Sequence, residues 1–298
     1  MDKIISSEQV HSFVAEIRNL RQGYVTNFYW DDQKHPYWVE NGSLLYQKFE
    51  GCYLLQHNNG GFTNFFYIAC NMDAVTNAIQ QASLENDGVI DVVIKQEGKG
   101  EVEALKAIGF EAYKYLYRMS HVGRMVGNDW FQDPRVKCAK KEDASLVHDI
   151  FLRDFDPIAE QLPSIKEIED FVDRKQLLVI KDEDKICGFL IYELTGVTWY
   201  LRYWYTSPEY RNKGIGAGLL RTSLLYGIES KRQILWVISD NENAIKRYEH
   251  YGFQKEPVSD YVMIKKFTPP RWLDSAVNQV LTIFFATLKT ERKEGCYE

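Results

Sequence analysis

The chain has 298 residues, 45% hydrophobic and 26% charged, with a formal net charge of -6. This ordinary globular composition leaves room for about two domains and excludes a disordered or collagen-like chain. The acidic balance argues against a general binder of nucleic acid or anionic membrane, because phosphate neutralisation needs a clustered excess of Lys and Arg.

The cysteines Cys52, Cys70, Cys138, Cys187 and Cys296 form no C-x-x-C pair, so neither a disulfide framework nor a structural zinc is expected. The first residues lack an apolar h-region, and no stretch reaches the roughly 18 apolar residues that span a bilayer. A soluble cytoplasmic protein is expected.

In chain order, apolar runs between turn residues predict strands over 44–49, 52–57 and 62–69. A helix over 72–84, a strand over 89–95, a helix over 100–107, the pair Gly109-Phe110 and a strand over 112–119 follow. The segment from Gly123 to Pro134 is rich in Gly, Asn, Asp and Pro and reads as a linker. A strand over 135–139 and a helix over 143–153 come next, the basic run Lys137 to Lys141 reading as a solvated strand end. Strands over 176–181, 186–193 and 197–206, a Gly-rich loop, a helix to about residue 230, a strand over 233–238, a helix over 241–250, Gly252-Phe253 and a strand near 260–266 complete the series.

The two series share one plan, offset by about 135 residues up to the third strand and about 143 at the Gly-Phe pair. Two unrelated α+β domains with similar punctuation are the alternative. The missing residues fall between the third strand and its helix, where the second series holds Ser207 to Gly216. The expected division is 1–125, 134–267 and a tail over 268–298. The tail repeats Trp272, Val277, Val280, Leu281, Phe284, Phe285 and Leu288 near helical spacing, which suits an amphipathic helix docked on this chain or a second one, or else a membrane-associated one.

Gly214, Gly216 and Gly218 lie where a predicted strand passes into a helix, a place where unpaired N-H groups and the helix dipole favour an anion. Glycines let the backbone approach phosphate oxygens, and Arg211 and Lys213 add charge. Neither the Rossmann fingerprint nor the Gly-Lys-Ser/Thr nucleotide loop fits.

Arg211-Asn212-Lys213-Gly214-Ile215-Gly216 resembles the acetyl-CoA signature of the GCN5-related N-acetyltransferase (GNAT) superfamily. The run from Asn241 through Ala244 and Tyr248 to Gly252-Phe253 is similar to that family's second segment, and the resemblance covers about residues 135–267. Residues 43–119 look like a degenerate copy, with Asn71-Met72-Asp73-Ala74-Val75 in place of the phosphate loop. The resemblance implies an α+β fold of two tandem GNAT-like domains, each a mixed, mostly antiparallel sheet flanked by helices, with one working site. It implies acetyl-CoA as co-substrate, no metal, and transfer to a small-molecule or peptide amine, and it leaves homo-oligomer formation open. A non-catalytic acyl-CoA-binding or scaffolding module is the rival, and aminoacyl transfer from charged tRNA a third option that the acidic balance disfavours.

By the same resemblance, main-chain groups of Trp204, Tyr205 and Thr206 face the thioester, and Arg211, Asn212, Lys213, Gly214, Ile215, Gly216 and Asn241 hold the cofactor. Tyr248 takes the general-acid position, with a core aromatic as its alternative, and Asn241 doubles as a helix cap. Where some members carry a strand Glu this strand has none, so Glu193 is the nearest candidate base, against a solvated strand end or a water chain. Alternation places Tyr200, Arg202 and Trp204 on one face, from which Arg202 would pair with a substrate carboxylate, unless it is structural. Asp154, Asp156 and Glu160 suit a cationic amine or a solvated loop.

Overall fold

Residues 1–95, 100–125 and 131–268 are described by the computed structural model. The first half runs β1 (Asp2–Lys3), α1 (Ser7–Asn19), β2 (Val25–Thr26), α2 (His35–Glu40), β3 (Leu44–Phe49), β4 (Cys52–Asn58), β5 (Phe62–Ala69), α3 (Met72–Gln81), β6 (Asp87–Lys95), α4 (Gly100–Ala107) and β7 (Glu111–Val122). The second runs β8 (Lys137–Cys138), α5 (Asp143–Asp154), α6 (Ile165–Asp173), β9 (Leu177–Asp182), β10 (Lys185–Thr195), β11 (Thr198–Thr206), α7 (Ile215–Tyr226), β12 (Arg232–Ile238), α8 (Glu242–His250) and β13 (Gln254–Lys265). Apart from β2 and a short 3-10 turn at Pro208–Tyr210, the halves match element for element. Helix α7 stops before the expected residue 230 because Gly227 takes its C-cap. The amphipathic tail read from Trp272 to Leu288 lies outside the described residues.

The strands form one sheet in the order β1-β3-β4-β5-β6-β13-β7-β12-β11-β10-β9-β8. The last strands of the halves are exchanged. Strand β13 of the second half pairs antiparallel with β6 of the first, from Val258↔Lys95 to Lys265↔Gly88. Strand β7 of the first half pairs with β12 of the second, from Arg232↔Val122 to Ile238↔Leu116. β7 and β13 also pair with each other, so the sheet is continuous across the middle.

Alternation along these strands sends apolar side chains to both faces, which is why helices cover both. On one face α1 buries Val10, Phe13 and Ile17 against Leu55 and Phe66. Helices α5 and α6 bury Val147, Phe151, Ile168 and Phe171 against Phe189 and Ile191. On the other, α3 and α4 bury Val75, Ile79 and Leu105 against Phe65 and Ile90, and α7 and α8 bury Leu219, Leu220, Ile245 and Tyr248 against Leu190, Trp199 and Leu201. A fully buried side chain of this size contributes about 2 to 3 kcal/mol.

In each half the third and fourth long strands are parallel and diverge. β5 pairs with β6 only from Phe62↔Asp87 to Phe65↔Ile90, and β11 with β12 only from Thr198↔Arg232 to Leu201↔Leu235. The first of these openings is filled by the chain itself. There β2 pairs Val25↔Ala69 and Thr26↔Ile68. Next to it, the Asn27 amide donates to the carbonyls of Phe65 (3.2 Å) and Asp91 (3.0 Å) and accepts from the Tyr67 N-H (2.7 Å). The second opening has no such strand among the described residues, and it is where the candidate site lies.

Candidate active site

The loop from Ser207 to Gly214 joins β11 to α7. Its backbone takes two left-handed turns, at Asn212 (φ 63°) and Gly214 (φ 76°), the second directly before the helix. Gly214 is the N-cap and offers no side chain, so the Ile215, Gly216 and Ala217 N-H groups of the first turn of α7 are left uncapped. The contrast is with α3, whose first turn is capped by its own Asn71, the Ala74 N-H donating to Asn71 Oδ1 at 2.9 Å. Arg211, Asn212, Lys213 and Gly214 are exposed, while Ile215 and Gly216 are buried. The loop is braced from behind, Arg135 donating to the Lys213 carbonyl (3.2 Å) and pairing with Asp133 (2.7 Å).

Gly216 lies against the end of β11. A Cβ there would stand 3.1 Å from both Thr206 Oγ1 and the Trp204 ring, so the helix approaches this strand closely only because the residue is Gly. Gly218 is a packing glycine of a different kind, since its missing Cβ makes room for the Asp133 carboxylate.

Strand β11 carries the feature that opens the cleft. Against β10 the register passes from Ile191↔Tyr203 to Tyr192↔Leu201, leaving Arg202 as the extra residue of a β-bulge. The expectation that Tyr200, Arg202 and Trp204 share a face is therefore corrected. Trp199 and Leu201 face α7, the bulge shifts the alternation by one residue, and Trp204 then rejoins the α7 and α8 side beside Tyr248, with ring centroids 5.6 Å apart. Tyr203 and Tyr205 point to the opposite face. Tyr205 donates to Asp154 Oδ2 (2.7 Å), so only its main chain borders the cleft.

Tyr248 is buried on α8, and that burial raises its hydroxyl above the usual tyrosine range, with the Glu160 carboxylate adding to the effect and Arg247 opposing it. Trp204 Nε1 is buried and finds no hydrogen-bond partner among the described residues. Asn241 caps α8, its Oδ1 accepting from the Ala244 N-H at 3.2 Å.

Glu193 is brought to the other side of the sheet from Tyr248. It is 8% exposed, which does not fit a solvated strand end, and its carboxylate lies 3.6 Å from Arg202 Nε. Around this pair gather residues that the sequence did not mark: Lys34 from the first half, Gln161 from the α5–α6 loop, Asp91 of β6 and Asp260 of the exchanged strand β13. Lys34 donates to Gln161 Oε1 (2.8 Å), and Gln161 donates on to Asp91. Burial raises the Asp91 carboxyl above the ordinary range, with the Gln161 hydrogen bond and Lys34 pulling the other way. Asp260 is also raised, by burial and by Asp91. Each aspartate sits inside an otherwise apolar strand pattern, Val89-Ile90-Asp91-Val92-Val93-Ile94 and Val258-Ser259-Asp260-Tyr261-Val262, the one signal that would have found them.

Residues 144–253 match the model of the Acetyltransferase (GNAT) family. No curated protein sequence matches the chain. Among solved structures, a tandem GNAT protein from the clavulanic acid biosynthesis pathway is similar over 74% of this chain and 80% of its own, with 12% identity and a TM-score of 0.53. A GCN5-related N-acetyltransferase from Sphaerobacter thermophilus covers 74% and 78%, with 12% identity and a TM-score of 0.52. A Drosophila protein covers 74% and 75%, at 15% identity and a TM-score of 0.51. At such identities these likenesses establish the tandem fold alone.

The residues present fit an acyl-CoA thioester. Uncapped N-H groups on an exposed loop suit a pyrophosphate, the Gly216 cradle admits a close-lying chain, the edge of β11 beyond Leu201 is released from β12, and the Trp204 indole N-H lacks an acceptor. Among the described residues, no cluster of three or more His, Cys, Asp or Glu side chains has metal-site geometry, and no helix is long and apolar enough to cross a membrane.

Proposed function

We propose, from the premise that residues 144–253 are a GNAT acetyltransferase domain, that the second half transfers the acetyl group of acetyl-CoA to a primary amine of a small molecule or peptide. The observation that carries this reading is the uncapped first turn of α7 opening onto the parting of β11 and β12, with Trp204 and Tyr248 at its back. On this reading the units are 1–125, 134–267 and the tail.

Acetyl-CoA, when bound, supplies an activated acyl group on a thiol leaving group. Ile215, Gly216 and Ala217 would hold its pyrophosphate through their N-H groups, with Arg211, Asn212 and Lys213 closing over it and Asn241 bordering it from α8. Main-chain N-H groups of Trp204, Tyr205 or Thr206 would meet the thioester oxygen as it gains charge, a contribution of about 10² to 10³ in rate for one donor. The acceptor amine forms the new C-N bond as the C-S bond breaks. Tyr248, held neutral by burial, donates to the departing sulfur, and the proton lost by the amine leaves through water or a carboxylate such as Glu193.

The test is thiol release from acetyl-CoA with a broad panel of amines. Turnover supports the proposal. Donor binding without turnover would make the protein an acyl-CoA sensor, and no donor binding at all would overturn the site.

A further inference from the structure

Between the halves lies a pocket lined by Gln33 and Lys34 of the first and by Gln161, Glu193, Arg202 and Tyr203 of the second, among others. It borders the bulge at Arg202, where β11 leaves β12, on the sheet face away from α7 and α8. Of its three cations, Arg174 is paired with Asp170 at 2.6 Å, and the other two are unusual. Lys34 has no carboxylate within 4.0 Å among the described residues, its ammonium being held by Gln161 and by the Trp38 ring at 4.7 Å. The Arg202 guanidinium rests on the Tyr200 ring at 4.9 Å, and its contact with Glu193, at 3.6 Å, is longer than a hydrogen bond.

The geometry points to a carboxylate-binding site made by Lys34 and Arg202, so that the acceptor is an amino acid or a small amine that likewise carries a carboxylate. This rests on the transferase reading above. Lys34 and Arg202, both half-buried, face one pocket and repel each other; of the two carboxylates on its lining, Glu167 is engaged by the Ser164 hydroxyl and Glu193 stands 3.6 Å from Arg202, so a further anion between the two cations is favoured. In keeping with that, Lys34 is lowered to about 8, by burial first and by Arg202 next, against the opposing pull of Glu167, Asp31 and Asp91. A carboxylate there would pair with both, and Glu193, on the same wall, leaves an acid for the ammonium end of a zwitterion.

The open space is about 10 Å³, about that of one water, so a carboxylate enters only with side-chain movement. The wall opposite is fixed. Gln161 holds a left-handed backbone (φ 44°), and its carbonyl accepts from the Tyr203 hydroxyl at 2.9 Å, a strained arrangement of the kind that positions a contact.

The experiment compares amino acids with their carboxyl-free counterparts (the decarboxylated amines and the carboxamides), in thiol release from acetyl-CoA and in calorimetric binding. Wild-type kcat/KM is expected to favour the carboxylate-bearing partner by about 100-fold, as two charge-assisted contacts would give. Lys34→Met should shrink that ratio by about 10-fold or more through KM, and Lys34→Arg should restore part of it, which a structural role for Lys34 would not produce. Turnover that favours the carboxyl-free amines would overturn the pocket and keep the transferase. Binding of amino acids weakened by Lys34→Met, without thiol release, would keep the pocket and overturn the transferase. Absence of both binding and preference would overturn the pocket whatever the variants do, so the wild-type panel decides even where a variant fails to fold.

Discussion

The Trp204 indole and the Tyr248 ring lie 5.6 Å apart at a 47° tilt, where β11 parts from β12. No hydrogen-bond partner for the Tyr248 hydroxyl is found among the described residues, so its removal should cost little stability. Tyr248→Phe is expected to lower kcat by 10- to 100-fold, with KM for acetyl-CoA nearly unchanged. Thiol-release kinetics over pH 6 to 9 check this. Because burial raises the hydroxyl, Tyr248 should not itself produce an alkaline fall in activity within that range. An unchanged kcat would return Tyr248 to the core.

Gly216 offers a second test. A Cβ would stand 3.1 Å from Thr206 Oγ1 and from Trp204, and Val would add two methyl groups on the path proposed for the donor. Gly216→Val is expected to weaken acetyl-CoA binding by at least about 30-fold, while the fold persists at a cost of about 1 to 3 kcal/mol. Calorimetry on the full chain measures the affinity. Binding that survives the substitution would put the donor elsewhere.

The first half should bind no donor of its own, since β2 and Asn27 occupy its opening. Wild-type calorimetry is expected to give one acetyl-CoA per chain. Asn27→Ala breaks three hydrogen bonds to the backbone of β5 and β6. It should destabilise the protein by about 2 kcal/mol in urea, without raising that stoichiometry. Two donors per chain would contradict the plugged opening.

Glu256 of β13 joins three strands of the central sheet. It accepts from Arg118 of β7 (2.5 Å) and Arg232 of β12 (2.6 Å). Burial pushes its carboxyl up, but the hydrogen bonds from Ser120, Arg232 and Arg118 together outweigh this and bring it to about 2, below its ordinary 4.5. A depressed folded value means that the stabilisation is complete above about 4.5 and disappears as pH falls towards 2. Glu256→Gln should therefore cost on the order of 2 kcal/mol at pH 7 and almost nothing near pH 2. Urea unfolding at several pH values checks the slope, and an equal loss at every pH would show that Glu256 acts only by packing.

Much of the fold was legible because it rests on local signals. Alternating apolar residues located the strands, Gly109-Phe110 and Gly252-Phe253 marked equivalent helix ends, and the spacing of Gly214 and Gly216 marked the passage from β11 into α7. The bulge at Arg202 was hidden, since Thr198 to Thr206 reads as an unbroken strand and a one-residue shift leaves no compositional trace. The exchange of β7 and β13 was hidden for a related reason. Each strand presents the same alternation whichever neighbour it takes, so pairing is settled by tertiary packing. Lys34 lay in a stretch where no element was expected, and it becomes part of a candidate site only because α2 packs beside α6.

The exchanged strands also set an order of events during synthesis. When the first half leaves the ribosome, β6 has one edge without its lasting neighbour, and β7 awaits a strand not yet translated. The sheet closes only after Gln254–Lys265 emerges, almost at the end of the described chain. Until then the nascent protein carries open strand edges of the kind that invite aggregation, so its yield in the cell should depend on chaperones and on an intact C-terminal half.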